Sequence, residues 1–106
     1  MLRVEFNHDR DGAVVVRLFG RVVGPYAEDA RIAVARLQLP PTIVVDLSEV
    51  SFIDSLGEQV LLWLGRLGAT FVVNDVYTRW VCERLQLRIA EKRSGVMSGA
   101  ETKAVQ

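Results

Sequence analysis

The chain has 106 residues, of which 50% are hydrophobic, and this size and composition are enough for one small domain with a single core. Thirteen Lys and Arg residues balance thirteen Asp and Glu residues, which excludes the excess of positive charge that holds nucleic acids or anionic membrane surfaces. We therefore expect proteins as partners. The one cysteine, Cys82, cannot form an internal disulfide or a cysteine-rich metal site.

The sequence pattern favours a cytoplasmic domain. Residues Met1 to Glu5 lack the apolar stretch of a signal peptide, and every apolar run is far shorter than the about 20 residues that cross a bilayer. We expect no direct membrane insertion, no cofactor and no metal ion. The single histidine, His8, falls in a predicted turn and is most simply interpreted as solvated.

The N-terminal third predicts a β-hairpin followed by a helix. Apolar and polar residues alternate from Leu2 to Phe6, residues 8–12 have the composition of a turn, and Ala13 to Gly20 is rich in Val and Leu. Pro25 suits the first turn of a helix, because the N–H group that it lacks has no partner there. Apolar residues then recur every three or four positions to about Leu37.

The remainder predicts further strand and helix units. Thr42 to Leu47 is an apolar run typical of a strand in a parallel sheet, and a short polar loop and a helix from Ser55 to Leu67 follow. Ala69 to Asn74 predicts the next strand, Asp75 to Leu87 the last helix, and Leu87 to Ile89 a short edge strand. The helical wheels place these residues toward the core: Leu56, Val60, Trp63, Leu64, Leu67, Tyr77, Trp80, Val81 and Leu85.

This order of elements predicts an α/β fold in which a mixed sheet carries helices packed mainly on one face. The domain is expected to span residues 1–90. From Glu91 to Gln106 the composition shifts to Glu, Lys, Ser, Gly, Thr and Ala, with few large apolar groups. Such a segment cannot bury enough surface to hold a fixed shape, so it predicts a disordered tail.

The most informative stretch is the centre of the chain and the corner that follows it. It reads Val45-Asp46-Leu47-x-x-Val50-x-Phe52-Ile53-Asp54-Ser55-Leu56-Gly57, with Leu18-x-Gly20 before it and Gly68-Ala69-x-Phe71-Val72-Val73 after it. This pattern resembles the STAS domain, the fold of bacterial anti-sigma-factor antagonists, over about Ala13 to Leu87. The resemblance implies a protein-interaction domain of a partner-switching circuit and not an enzyme, so no residue is given a catalytic role.

The resemblance also implies roles for the residues at this corner. In the family, a partner kinase phosphorylates the serine or threonine that follows the aspartate, which implies that Ser55 is the switch residue. The partner, an anti-sigma factor or a related serine kinase, is expected to bind the corner and the outward side of the next helix. The residues concerned are Asp54, Ser55, Leu56, Gly57, Glu58 and Leu62.

The residues at the corner also have structural interpretations. Ser55 and Glu58 have the spacing of a capping box, in which the hydroxyl accepts from the N–H of Glu58 and the carboxylate accepts from the N–H of Ser55. Such a cap explains serine at this position without a kinase. Asp54 is interpreted either as a charge or alternative cap at the helix start, or as a residue that orients Ser55 toward a kinase.

Near Ser55 the chain departs from the family pattern at two positions. Phosphorylated members usually have an apolar residue where Glu58 stands, and members often have an acid near the position of Val23. A carboxylate about 6 Å from a phosphate repels it by roughly 1 kcal/mol even in water. The sequence therefore predicts that Ser55 is a poor kinase substrate.

Two alternative functions stay open on the sequence. A constitutive scaffold, such as an accessory STAS subunit of a phospholipid-transport ATPase or of a signalling complex, would use the same surface without a switch. A small enzyme or ligand carrier would need an apolar pocket with convergent polar groups, which the sequence does not predict. The identity of the partner and the oligomeric state, including a homo-oligomer, also stay open.

Overall fold

The computed structural model describes residues 2–37 and 42–90, and the predicted tail from residue 91 lies outside them. Its elements are β1 (Leu2–His8), β2 (Val14–Val22), α1 (Gly24–Ala35), β3 (Ile43–Ile53), α2 (Ser55–Arg66), β4 (Thr70–Val72) and α3 (Val76–Arg84). The strands lie in the order β1-β2-β3-β4. Strand β1 is antiparallel to β2, whereas β2, β3 and β4 are parallel. The predicted α/β class with a mixed sheet is confirmed.

One face of the sheet forms the core. Along β2 the buried residues alternate with exposed or half-buried ones, so that Val14, Val16 and Leu18 point to the side on which the helices pack. Arg17 and Arg21 lie on the opposite, exposed face. The helices therefore cover one face of the sheet, as predicted. The largest fully buried side chains include Phe71, Leu18, Ile43, Leu47, Leu61 and Leu64.

Strand β3 is longer than the sequence predicted. The polar loop expected after Leu47 is wrong, because the strand continues to Ile53. Buried residues follow one another at a spacing of two up to Leu47, and then at a spacing of three at Val50 and Ile53. The pairing with β2 shifts register twice over this stretch, as expected for β-bulges. These irregularities leave polar residues in the strand and bring Ile53 opposite Val22.

The buried face of α2 is rotated by about one residue from the predicted face. Leu56 and Leu67 were predicted to face the core, but they are 49% and 38% exposed. The buried residues of α2 are Gly57, Val60, Leu61 and Leu64. Gly57 begins this set without an apolar side chain, so hydrophobic periodicity did not reveal the correct face.

The buried face of α3 also differs from the prediction. Trp80 was predicted to lie in the core but is 54% exposed, whereas Thr78 is fully buried. The Thr78 hydroxyl donates to Asp75 Oδ1 at 2.6 Å, which satisfies the hydroxyl at a core position. The other buried or partly buried residues of this segment are Tyr77, Val81, Cys82 and Leu85.

The end of the described chain adds one bridge to the sheet. The short edge strand predicted at Leu87 to Ile89 is a single parallel bridge between Ile89 and Phe71. The Phe71 N–H donates to the Arg88 carbonyl, and the Ala90 N–H donates to the Phe71 carbonyl, both at 2.8 Å.

Candidate protein-interaction site

Asp54 joins the starts of two helices. It follows directly on β3 and is the N-cap residue of α2, where its Oδ1 accepts from the Gly57 N–H at 2.8 Å. Its Oδ2 accepts from the Gly24 N–H at 3.0 Å. Gly24 is the first residue of α1. A single carboxylate therefore satisfies one backbone donor from the first turn of each helix.

The hydrogen bond between Asp54 and the start of α1 explains why α1 needs no acidic residue at position 23 as its own cap. Val23 is the N-cap residue of α1 and has no polar side chain, so it makes no side-chain cap. Pro25 follows Gly24 and has no N–H group, so it needs no acceptor at this helix start. Asp54 supplies the missing acceptor from the other side of the corner.

Ser55 is the first residue of α2, and its side chain is exposed. The capping box predicted between Ser55 and Glu58 is wrong, because Asp54 occupies the N-cap position and the Glu58 N–H donates to the Asp54 carbonyl at 2.8 Å. The alternative interpretation of Asp54 as the cap is the one that the structure bears out. Within residues 2–37 and 42–90, no group makes a hydrogen bond to the Ser55 hydroxyl.

Gly57 lets the first turn of α2 approach β2. A Cβ atom at this position would lie 2.1 Å from the Val22 carbonyl oxygen and 2.9 Å from Ile53 Cγ2. Real Cβ atoms do not come this close to backbone oxygen, so the position requires glycine. The Val22 carbonyl also accepts from the Asp54 N–H at 3.3 Å. Gly57 thus acts by close packing at the corner and is itself buried.

An ion pair connects the first turn of α2 to the end of α3. The Arg84 guanidinium contacts the Glu58 carboxylate and also lies over the Trp80 ring, 4.8 Å from its centroid. The pair is partly exposed on both sides. Glu58 is therefore neutralised by a neighbour that the sequence analysis did not identify.

Tyr77 ties α3 to the strand end that precedes the corner. Its hydroxyl donates to the Ile53 carbonyl at 3.1 Å and accepts from the Ile53 N–H at 2.9 Å. The ring also stacks on Phe52, with centroids 6.3 Å apart. The backbone next to Asp54 is thus held by a side chain as well as by the sheet.

Known proteins resemble this chain in structure. No family model and no curated protein matches its sequence. An anti-sigma factor antagonist from Mycobacterium paratuberculosis superposes with a TM-score of 0.66 at 28% identity, covering 81% of this chain and 79% of that one. The anti-sigma factor antagonist SpoIIAA in its unphosphorylated form superposes with a TM-score of 0.64 at 20% identity, covering 85% and 89%.

This chain has the STAS fold of the anti-sigma-factor antagonists. The resemblance inferred from the Asp54-Ser55-x-Gly57 corner is confirmed at the level of the fold. The geometry also explains the motif physically. Asp54 caps two helices, and Gly57 permits close packing. Ser55 is exposed and is the N-cap residue of neither helix.

The outward side of α2 is flanked by two grooves. One, of about 330 Å³, lies between α1 and α2 and includes Leu56 and Leu62. The other, of about 380 Å³, lies between the end of α2 and residues 85–88 and includes Leu62 and Arg66. At 3.6 residues per turn, Leu62 and Ser55 lie about 20° apart around the helix. Leu62 therefore lies in line with Ser55 along α2.

Exposed apolar side chains also lie on α3. Val76 is 86% exposed and Trp80 is 54% exposed, and both line a shallow surface groove of about 460 Å³. Trp80 is connected to the corner through Arg84, which contacts both Trp80 and Glu58. We define the corner surface as Ser55, Glu58, Leu62, Trp80 and Arg84.

Other chemistry is limited in the part of the chain that the structure describes. Over these residues there is no cluster of three or more His, Cys, Asp or Glu side chains that could hold a metal ion. No described helix is both long and apolar enough to cross a membrane. Burial raises the pKa of the Cys82 thiol to about 11, so at neutral pH this thiol is protonated and is a poor nucleophile.

Sequence reasoning missed two residues of this site, Tyr77 and Arg84. Tyr77 was assigned to the core face without a partner for its hydroxyl, and a buried tyrosine hydroxyl usually has one. Arg84 lies one helical turn after Trp80, and an aromatic and a cation at this spacing share one helix face. That spacing was the available signal, but it does not identify Glu58 on another helix.

Proposed function

We propose that this STAS domain is an anti-sigma-factor antagonist that acts by binding a protein partner in a partner-switching circuit. One observation carries the proposal: Ser55 presents a hydroxyl without a hydrogen-bond partner among the described residues, at a corner whose neighbours are fixed. A serine held in this way contributes little to stability, which leaves it available for recognition or modification. The fold shared with known antagonists supports the same function.

The unmodified domain binds the anti-sigma factor through the corner surface. The Arg84 guanidinium lies over the Trp80 ring there, and tryptophan and arginine are enriched among the residues that dominate binding energy. Leu62 lies on the outward side of α2, one helical turn after Glu58, and lines the two grooves that flank this helix. Binding the anti-sigma factor releases the sigma factor that it held.

Phosphorylation of Ser55 reverses the binding. In the kinase reaction, Ser55 Oγ attacks the γ-phosphorus of a nucleoside triphosphate, the bond from that phosphorus to the bridging oxygen breaks, and the nucleoside diphosphate leaves. The hydroxyl proton passes to a base of the kinase. The phosphate adds a charge of about −1.5 to −2 to a contact that must lose its water on binding. Arg84 offsets the repulsion predicted from Glu58, so Ser55 stays a candidate substrate.

A constitutive scaffold is the second candidate, and Glu58 is the observation that favours it. The carboxylate lies within the first turn of α2, as Ser55 does, and places a negative group near any phosphate there. A scaffold subunit of a phospholipid-transport ATPase or signalling complex would bind its partner equally well with and without Ser55. Co-purification separates the two candidates, because one yields an anti-sigma factor and the other a transporter or signalling subunit.

Binding measurements test the proposal most simply. Each anti-sigma factor encoded in the genome of origin is purified and titrated with the chain by calorimetry. Leu62→Arg is expected to raise the Kd of the recognised anti-sigma factor by about 30-fold or more, because it places a charge in a desolvated contact. Val15→Arg is the matched control, since Val15 is also half-buried but points away from the helices. Binding by none of the anti-sigma factors, or equal effects of the two variants, would contradict the proposal.

A further inference from the structure

We propose that Arg84 binds the phosphate of Ser55-phosphorylated chain, and that it leaves Glu58 to do so. The inference rests on the proposed phosphorylation of Ser55 and assigns a role to a residue outside the Asp-Ser-x-Gly motif. The ion pair of Arg84 with Glu58 is the observation that carries it. Arg84 comes from α3, and it places a cation at the first turn of α2 before any phosphate is present.

The positions of Ser55 and Glu58 make the exchange geometrically simple. The two residues are three apart on α2, so that their Cβ atoms lie about 5–6 Å apart on the same side of the helix. The outer oxygens of a phosphoserine are the same number of bonds from Cβ as the carboxylate oxygens of glutamate. Phosphate on Ser55 therefore extends about as far from the helix as the Glu58 carboxylate that Arg84 already contacts, one helical turn away.

Charge favours phosphate over Glu58 as the partner of Arg84. A phosphoserine carries about −1.5 to −2 charges and three acceptor oxygens, whereas a carboxylate carries one charge. Arginine binds phosphate with two parallel hydrogen bonds. The existing pair is partly exposed and screened by water, so it opposes the exchange weakly. Trp80 packs against the guanidinium and holds Arg84 near the corner in both states.

Asp54 and Arg79 differ from Glu58 and Arg84 in their contacts. Both Asp54 oxygens already accept backbone hydrogen bonds. Arg79 also lies on α3, but on the groove beside Val76, and it makes no ion pair or side-chain hydrogen bond within the described residues.

The exchange changes the corner surface in two ways at once. Phosphate appears on Ser55, and the Glu58 carboxylate loses its cation. A partner that meets a neutral Glu58–Arg84 pair in the unmodified chain then meets an additional unpaired carboxylate. Glu58, which stands where family members usually have an apolar residue, thereby takes part in the response of this chain to phosphorylation.

Phosphorus NMR on the full chain tests this assignment without a kinase or a partner. Phosphoserine is incorporated at position 55 during translation, and the second pKa of the phosphate, about 6 in the absence of neighbours, is measured by titration. Binding to Arg84 should keep that pKa about one pH unit below its value in Arg84→Gln, the lower end of the effect of a guanidinium on a carboxyl group. Arg84→Lys should give an intermediate value, because it keeps the charge and loses the paired hydrogen bonds.

Arg79→Gln is the matched control, since it removes one positive charge from an exposed position on the same helix. It should leave the phosphate pKa at the wild-type value. Equal pKa values for wild type and Arg84→Gln, or equal effects of Arg79→Gln and Arg84→Gln, would overturn the assignment. Because phosphate is installed directly and no anti-sigma factor is present, such a result leaves the proposed function untouched. Failure of the calorimetric binding test, in contrast, overturns the proposed function.

Discussion

Asp54 and Gly24 lie 30 positions apart in the sequence, and the Gly24 N–H donates to Asp54 Oδ2 at 3.0 Å. The other oxygen, Oδ1, accepts from the Gly57 N–H at 2.8 Å. The first turns of α1 and α2 are therefore fixed to each other through one carboxylate. Ser55 follows this residue, so the position of its hydroxyl depends on a contact that ordinary helix capping does not provide.

Removal of the Asp54 carboxylate should destabilise the domain more than removal of the Ser55 hydroxyl. Asp54→Ala leaves backbone donors of two helices without an acceptor, and we expect it to lower the free energy of unfolding by about 1–3 kcal/mol. The free energy of unfolding of Asp54→Asn should lie between those of wild type and Asp54→Ala, because an amide retains one acceptor oxygen. Urea denaturation gives these values. Ser55→Ala is the control, and its free energy of unfolding should stay within about 0.5 kcal/mol of wild type. If Ser55→Ala destabilised the domain more than Asp54→Ala, Ser55 would be the helix cap and this account of Asp54 would be wrong.

Gly57 should tolerate no side chain. Gly57→Ala places Cβ 2.1 Å from the Val22 carbonyl oxygen, a backbone atom that cannot rotate away, so we expect a loss of about 1–3 kcal/mol. Gly65→Ala is the matched control on the same helix. Its Cβ would meet only the flexible end of Leu87, 2.8 Å away, and alanine gains about 1 kcal/mol in helix preference. Thermal melting of both variants tests this, and equal melting temperatures would contradict the packing argument.

The Tyr77 hydroxyl should stabilise the strand end beside the corner. Tyr77→Phe keeps the ring and removes the partner of both backbone groups of Ile53. Because these groups then lack a hydrogen bond, we expect a loss of about 1–3 kcal/mol in urea denaturation. Tyr26→Phe changes the same group on an exposed tyrosine and should leave stability unchanged. Similar decreases in the free energy of unfolding of both variants would mean that the hydrogen bonds of the Tyr77 hydroxyl to Ile53 do not stabilise the domain specifically.

Burial of Cys82 should make stability fall at alkaline pH. The thiol pKa is raised by burial from 9.0 to about 11. Between pH 9 and pH 11 the thiol of the unfolded chain loses its proton while the thiol of the folded chain keeps it. Deprotonation therefore stabilises the unfolded state as pH rises, and the free energy of unfolding falls. Urea denaturation at pH 8 and pH 10 should show a steeper loss for wild type than for Cys82→Ala. Parallel losses in the two proteins would show that Cys82 does not contribute.

Sequence patterns predicted the helices and strands of the fold better than they predicted which face of each helix is buried. Hairpin, helices and parallel strands follow from periodicity and turn composition, and all are present. The β-bulges in β3 change the spacing of buried residues from two to three, and this irregular pattern looked like a loop. Gly57 and Thr78 are buried without being apolar, because one permits close packing and the other has a satisfied hydroxyl. Periodicity based on hydrophobic residues therefore misplaced Trp80.

The candidate site was predictable where it depends on neighbours in sequence. Asp54 and Ser55 were identified from the motif, and the helix wheel placed Leu62 on the outward side of α2. The contacts of Asp54 with Gly24, and of Glu58 with Arg84, join residues of different elements. No local spacing encodes such contacts, because they depend on how the helices pack against the sheet.

Release of a sigma factor tests the antagonist function most directly. A complex of the recognised anti-sigma factor with its sigma factor is prepared, and free sigma factor is measured as the chain is added. Unmodified chain should release the sigma factor in a concentration-dependent manner, and chain carrying phosphoserine at position 55 should require at least about ten times more protein, a difference of about 1.4 kcal/mol in binding. Equal release by the two forms, or no release by either form, would contradict the account.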